Sequence, residues 1–259
     1  MTRLITIPFS HFCEKGRWAL DLARVPYRED AWPPGVHRLP LARRRATTAP
    51  VLVLGDGRVL RESTDIVRHA DSAAGLGLFG ATPAERAEIE TLVDRFDRML
   101  GPEVRLGVYA RILDDPVAFT ALGEIGLTGA RAAAMRRLRP AIARAIRRYF
   151  RISPATRDRA DALVDQELAF AQERRAGGPY LVGDRFTAAD LTFAALAAPL
   201  TYVSGYGLGL PPLATMPEAI RSEVARRRAA PECRAIDELY ARHRRPTAAT
   251  AAAPAGAPA

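Results

Sequence analysis

Ser10-His11-Phe12-Cys13 places a hydroxyl, an imidazole and a thiol within four consecutive positions. A short apolar run, Leu4-Ile5-Thr6-Ile7, precedes them, and a helical pattern from about Phe12 to Arg24 follows. The group therefore stands in a turn between a strand and the start of a helix. Unpaired backbone N–H groups and the positive end of the helix dipole favour a thiolate there. The Ser10 hydroxyl does not ionise near neutral pH and, without a base, is a poor nucleophile. It suits donation of a hydrogen bond to a thiolate, lowering that thiol's pKa; an ordinary helix N-cap uses the same hydroxyl. Cys13 stands where a C-x-x-C pair has its second cysteine, with serine replacing the first. Dithiol oxidoreduction within the motif is thereby excluded. Two roles are left for Cys13: monothiol exchange with a small thiol, or a small buried residue that packs the helix on the sheet.

The elements that must hold this turn alternate at first. After Leu4–Ile7 and the first helix, Pro26–Trp32 reads as a second strand, and residues 35–47 as an irregular basic stretch with one helical turn. Val51-Leu52-Val53-Leu54, Gly55-Asp56-Gly57 and Arg58-Val59-Leu60 read as a hairpin. A helix then starts at Glu62 or Ser63 and runs to about Ala74. The order β-α-β-α-β-β-α predicts a four-stranded mixed sheet with helices on both faces.

Residues 1–76 thus form an α/β domain, 77–83 a linker, 84–245 an all-helical domain, and 246–259, rich in Ala, Pro and Thr, a disordered tail. In the helical part, Ile89, Leu92, Val93, Phe96, Met99 and Leu100 recur at three-to-four spacing, and Pro102 is expected to end or kink that helix. A later helical region is broken around Gly123–Gly129. Beyond Met135 a helix gathers Arg136, Arg137, Arg144, Arg147, Arg148 and Arg151 on one side. Leu138, Ile142, Ala145, Ile146 and Tyr149 take the other. The arginine face is expected to be solvated and paired with the acids Asp158, Asp161, Asp165 and Glu167 of the next helix. Further helices are expected over Arg157–Ala176, Thr187–Leu200, Pro217–Arg228 and Pro231–Arg242. Thr187 and Asp190 make a variant capping box.

Composition narrows the classes. The 259 residues carry a formal charge of +9, which would permit nucleic-acid or anionic-membrane binding. The reading adopted is a basic soluble enzyme with no nucleic-acid and no membrane partner. Of the 38 basic residues only Lys15 is a lysine, a bias expected of a GC-rich bacterial coding sequence. Two cysteines, Cys13 and Cys233, make no disulfide framework and fit a reducing, cytoplasmic setting. The histidines do not cluster and no zinc-ligand spacing occurs, so no metal is expected. There is no signal-peptide core and no run of apolar residues long enough to span a bilayer.

Four segments carry a resemblance. They are Pro8-Phe9-Ser10-His11-Phe12-Cys13-Glu14-Lys15-Gly16-Arg17-Trp18-Ala19-Leu20, Thr48-Ala49-Pro50-Val51-Leu52, Glu62-Ser63-Thr64-Asp65-Ile66, and Gly178–Asp190. In this order and spacing they resemble the cytosolic glutathione S-transferase superfamily, in particular bacterial members with a serine/cysteine turn. The resemblance spans about residues 3–245. It implies a thioredoxin-like α/β N-terminal domain followed by an all-α helical-bundle domain. It implies a cis-proline at Pro50, beside which the Val51 backbone would pair with a peptide-like ligand. It also implies Glu62 and Ser63 at the α-amino and α-carboxylate groups of a γ-glutamyl moiety. A trans turn proline and a plain capping pair are what the residues alone would also allow.

One stretch departs from the family. Where members commonly carry an Asn-Pro-x-Gly-Lys run, this chain has Leu41-Ala42-Arg43-Arg44-Arg45-Ala46-Thr47-Thr48. The contact to the glycyl carboxylate then falls to one of the three arginines, or the natural cosubstrate is another small thiol. The expected enzyme attaches the thiolate of glutathione to an electrophilic small molecule. Ser10 or Cys13 carries the chemistry, and His11, Phe12, Met99 and Tyr109 line an apolar cleft between domains. A homodimer follows from the resemblance. The competing readings are a thiol-dependent reductase or deglutathionylase working through Cys13, and a non-catalytic binding protein that uses its arginine face.

Overall fold

The computed structural model describes residues 1–245; the proposed tail at 246–259 lies outside them. Its first elements are β1 (Arg3–Thr6), α1 (His11–Leu22), β2 (Arg28–Ala31), α2 (Arg38–Ala42), β3 (Val51–Val53), β4 (Val59–Leu60) and α3 (Ser63–Ala74). The sheet order is β2-β1-β3-β4. β1 runs parallel to β2 and antiparallel to β3, with Ile5 opposite Val51, and β3 and β4 form the expected hairpin. Alternation along the strands sorts the two faces. Leu4 and Leu52 point into the large core with Trp18 of α1 and Ile66 of α3. Ile5 and Val51 point the other way, onto Leu41 of α2. The expected mixed sheet with a helix layer on each face is what forms.

Helices follow: α4 (Pro83–Arg95), α5 (Gly101–Ile112), α6 (Pro116–Glu124), α7 (Gly129–Tyr149), α8 (Pro154–Arg174), α9 (Ala188–Thr201), α10 (Glu218–Ala229) and α11 (Arg234–His243). Between α4 and α5, Phe96–Leu100 winds as a π-helical turn. Pro102 lies just beyond, lacking an N–H and crowding the carbonyl four residues back, so the helix widens where the proline disturbs its ladder. α9 is buried along nearly its whole length and forms the axis of the helical domain. Its start is fixed by Asp190, which accepts hydrogen bonds from Thr187 N at 2.9 Å, Thr187 Oγ1 at 2.8 Å and Leu181 N at 2.8 Å.

One expected pairing does not form. The acids of α8 do not meet the arginines of α7, because α8 packs against α5. Asp161 pairs with Arg111 at 2.8 Å, Glu167 with Arg95 at 2.8 Å, and Asp165 with Arg227. Arg136 and Arg147 of α7 instead meet Glu124 and Asp114, near their own helix. Among the described residues no helix is long and apolar enough to cross a membrane.

Candidate active site

The turn after β1 is closed by Ser10 N donating to Ile7 O at 3.0 Å, and Ser10 O accepts from Glu14 N at 2.9 Å to begin α1. Ser10 has extended backbone geometry, and its side chain makes no capping bond to the helix. The hydroxyl is therefore not spent as an N-cap. Ser10 lines a cavity of about 450 Å³ between the two domains, and its hydroxyl lies within hydrogen-bonding reach of Cys13.

Cys13 lies behind the serine and is fully buried. Burial pushes its thiol up to about 11, against the opposing pull of Arg17, the Ile7 backbone and the Ser10 hydroxyl. His11 is buried as well. Its Nε2 lies 3.0 Å from the Gly101 carbonyl, which can only accept, so Nε2 carries the proton. Burial and the nearby Arg105 pull its pKa down to about 3. The imidazole is neutral at physiological pH and its N–H is committed to α5. α5 packs closely on α1 here: a Cβ on Gly101 would come within 2.5 Å of the Phe12 ring and displace it.

Two basic residues of the first motif tie the turn down. Lys15 is fully buried. Its Nζ donates to Asp97 Oδ1 and Oδ2 at 2.8 Å and to Thr64 Oγ1 at 2.7 Å. It thereby joins α1 to the start of α3 and to the π-helical turn. Arg17 donates to Pro8 O at 2.9 Å and to Glu29 at 2.6 Å, holding the turn against β2. Their partners lie in other elements, so neither role is visible in the first motif alone.

The other expected binding residues lie around this frame. The Ala49–Pro50 peptide is cis, and Pro50 precedes β3 at the end of the sheet that carries the Ser10 turn. A Cβ on Gly16 of α1 would lie 3.5 Å from Pro50 and 3.6 Å from Ile66, so α1 packs closely on both. Glu62 is the exposed residue at the start of α3, and Ser63 is buried behind it. Burial, Asp65 and Asp97 raise the Glu62 pKa, opposed by Lys15.

The cavity wall brings together Ser10, His11, Phe12 and Tyr109 of the expected set. Pro50, Val51, Glu62, Ser63 and Cys13 stand outside that wall, and Met99 is 43% exposed on the far side of the π-helical turn. Thr47, Thr48 and Ala49 border the cavity, as do His37 and Arg38 of the α2 region. The Arg43–Arg45 run does not. Arg44 folds back, donating to Pro40 O at 2.8 Å.

Most of the remaining wall comes from the helical domain and was not foreseen: Arg105, Tyr149, Phe150, Tyr202 and Tyr206 among others. Phe9 meets Tyr109 edge-on at 6.1 Å, and Tyr109 stacks on Phe150 at 5.7 Å. Burial lifts the Tyr109 phenol to about 12. The apolar side of α7 was visible in its sequence, and Ala145, Ile146 and Tyr149 from that side do line the cavity. Such a site, apolar and aromatic with a hydroxyl at a helix N-terminus, can hold a flat hydrophobic molecule against a sulfur bound at the turn.

Comparison with known proteins places the two domains. Residues 4–79 match the family model "Glutathione S-transferase, N-terminal domain" and residues 154–235 match "Glutathione S-transferase, C-terminal domain". A glutathione S-transferase from Rhodospirillum rubrum is similar in structure, at TM-score 0.52 and 21% identity over 91% of each chain. One from Xanthobacter autotrophicus superposes at TM-score 0.54 with 20% identity, over 92% of this chain and 100% of that one. A possible glutathione S-transferase from Rhodopseudomonas palustris gives 0.54 at 20% identity, over 90% and 88%. No curated protein matches the sequence. With both family domains matched in order over more than half its length, the chain belongs to the glutathione S-transferase superfamily.

Proposed function

We propose that the protein is a glutathione transferase in which Ser10 stabilises the thiolate of glutathione for attack on an electrophile held in the interdomain cavity. The observation that carries this reading is Ser10 on the wall of that cavity at the start of α1, its hydroxyl unspent as a cap. Glutathione would lie along Pro50–Val51, with its γ-glutamyl end at Glu62 and Ser63. Its sulfur would meet the Ser10 hydroxyl and the N–H groups of the first turn of α1.

The chemistry needs little from the protein beyond this. The thiol releases its proton to solvent and the hydroxyl donates to the sulfur anion. That sulfur forms a C–S bond as the leaving group departs with the electron pair of the bond it breaks. The site supplies proximity and stabilisation of charge. His11 serves neither as acid nor as base: its one N–H is committed to Gly101, and burial leaves the ring too weakly basic, at about 3, to take a proton from a thiol. The active form is expected to be the homodimer that family membership implies, which light scattering on the purified protein would show.

Glutathione should raise the melting temperature, and the enzyme should turn over 1-chloro-2,4-dinitrobenzene with it. No stabilisation by glutathione, together with stabilisation by another small thiol, would reassign the cosubstrate. No stabilisation by any thiol would end the transferase reading.

A further inference from the structure

Among the described residues, Arg105 is the one strongly cationic side chain that the helical domain sets on the cavity wall, and no carboxylate makes an ion pair or hydrogen bond with it there; Glu103 acts on it only electrostatically. The cavity wall contains two arginines, Arg38 and Arg105, and no aspartate or glutamate. Arg38 is exposed. Arg105 is largely enclosed, and its Nε is buried without a hydrogen-bond partner. Its guanidinium lies 4.7 Å from the Phe150 ring centroid and 5.8 Å from that of Phe12. The nearest acid in sequence, Glu103, faces Arg159 at 3.5 Å. Other enclosed arginines of this chain have carboxylate partners: Arg17 with Glu29, Arg111 with Asp161, Arg227 with Glu223, Arg244 with Glu14.

An enclosed cation that no carboxylate pairs directly is costly. Two aromatic faces steady the guanidinium but give its Nε no acceptor, and a guanidinium fits a carboxylate through paired hydrogen bonds. We propose that the electrophile taken by this enzyme is an apolar, ring-bearing carboxylate whose anionic group pairs with Arg105, while its reactive carbon is turned toward Ser10. The proposal rests on the transferase reading for the reaction, but the binding it predicts does not require a thiol. Pairing with Arg105 would also offset repulsion between an anionic substrate and the thiolate that attacks it.

The test is calorimetric titration of the full-length protein, without thiol, with biphenyl-4-carboxylate and with biphenyl-4-carboxamide of nearly the same shape. The acid should bind the wild type roughly tenfold or more tightly than the amide, one charge-assisted contact's worth. Arg105→Gln should bring the ratio to about one, and Arg105→Lys, which keeps the charge, should retain part of it. Equal affinities in the wild type, no binding of either probe, or a ratio that survives Arg105→Gln would each overturn the proposal. Affinity for acid and amide lowered equally by Arg105→Gln, with their ratio unchanged, would assign Arg105 to packing and overturn it too. None of these outcomes touches glutathione binding, which tests the transferase reading separately.

Discussion

Arg244 Nε donates to Glu14 Oε1 at 2.8 Å, a fully buried contact between residues 230 positions apart. The same guanidinium donates to Asp21 Oδ2 at 2.8 Å, and Gly207 N donates to Glu14 Oε1 at 3.0 Å. A Cβ on Gly207 would fall 2.3 Å from Arg244, so the backbone has closed directly onto this pair. The end of the helical domain thus clamps the helix whose first turn carries Ser10.

Removing one member of such a pair leaves a buried charge behind. Arg244→Met is expected to destabilise the protein by about 3–5 kcal/mol, read as a lower denaturant midpoint with unchanged slope. Because Glu14 is one turn beyond Ser10, the variant should also lose turnover at temperatures where it is still folded. A loss below about 1 kcal/mol would show that the contact behaves as a surface pair.

His11 gives a pH signature. Its folded pKa of about 3 lies below its ordinary value of 6.5. Between those values the unfolded chain binds the proton and the folded one does not, so stability is full above about pH 6.5 and falls as pH falls. The slope is roughly 1.4 kcal/mol per pH unit from this one group. His11→Gln, whose amide can still donate to Gly101 O, should flatten the acid limb by about that slope. Parallel limbs for wild type and variant would mean that His11 takes up its proton in the folded state.

Cys13 is enclosed and its thiol is pushed up to about 11. Alkylation by iodoacetamide in the native state is expected to be slow at pH 7 and to rise with pH through 9, because the thiolate fraction rises tenfold per unit below the pKa. After incubation with oxidised glutathione, the intact mass should be unchanged. A mixed disulfide on Cys13 would instead favour the reductase chemistry and displace Ser10 from the central role.

Lys15 joins three elements through Asp97 and Thr64. Lys15→Met should cost about 3 kcal/mol, since Asp97 loses its cationic partner and keeps only the Thr64 hydroxyl, and should weaken glutathione binding more than it lowers turnover at saturation, because it loosens the seat of Glu62 and Ser63. Unaltered binding in a destabilised variant would separate the α3 start from the thiol site.

How much of this was legible in the sequence follows from how local each feature is. The Ser10 turn, the proline before β3 and the start of α3 are short motifs whose geometry neighbouring residues impose, and they are found where expected. The capping box at Thr187 and Asp190 is equally local. The cavity wall is not. It depends on how α5, α7 and α9 rotate against the sheet, which periodicity fixes only for long uniform helices. Met99 shows why: it shared an apolar recurrence with Phe96 and Leu100, but the π-helical turn at 96–100 takes more residues per revolution and carries it off the buried face. Arg105 was hidden for another reason. Among so many arginines, only the structure distinguishes an enclosed one on the cavity wall that no carboxylate pairs directly.

The account turns on whether Ser10 holds a thiolate, and the ultraviolet absorbance of the thiolate of bound glutathione reports that directly. In the wild type the bound thiol should titrate at least about one unit below the ordinary thiol value near 8.5. In Ser10→Ala it should return toward that value, with kcat for 1-chloro-2,4-dinitrobenzene falling on the order of 10²-fold and glutathione affinity changing little. An identical titration and unchanged turnover in the variant would contradict the account and remove Ser10 from the mechanism.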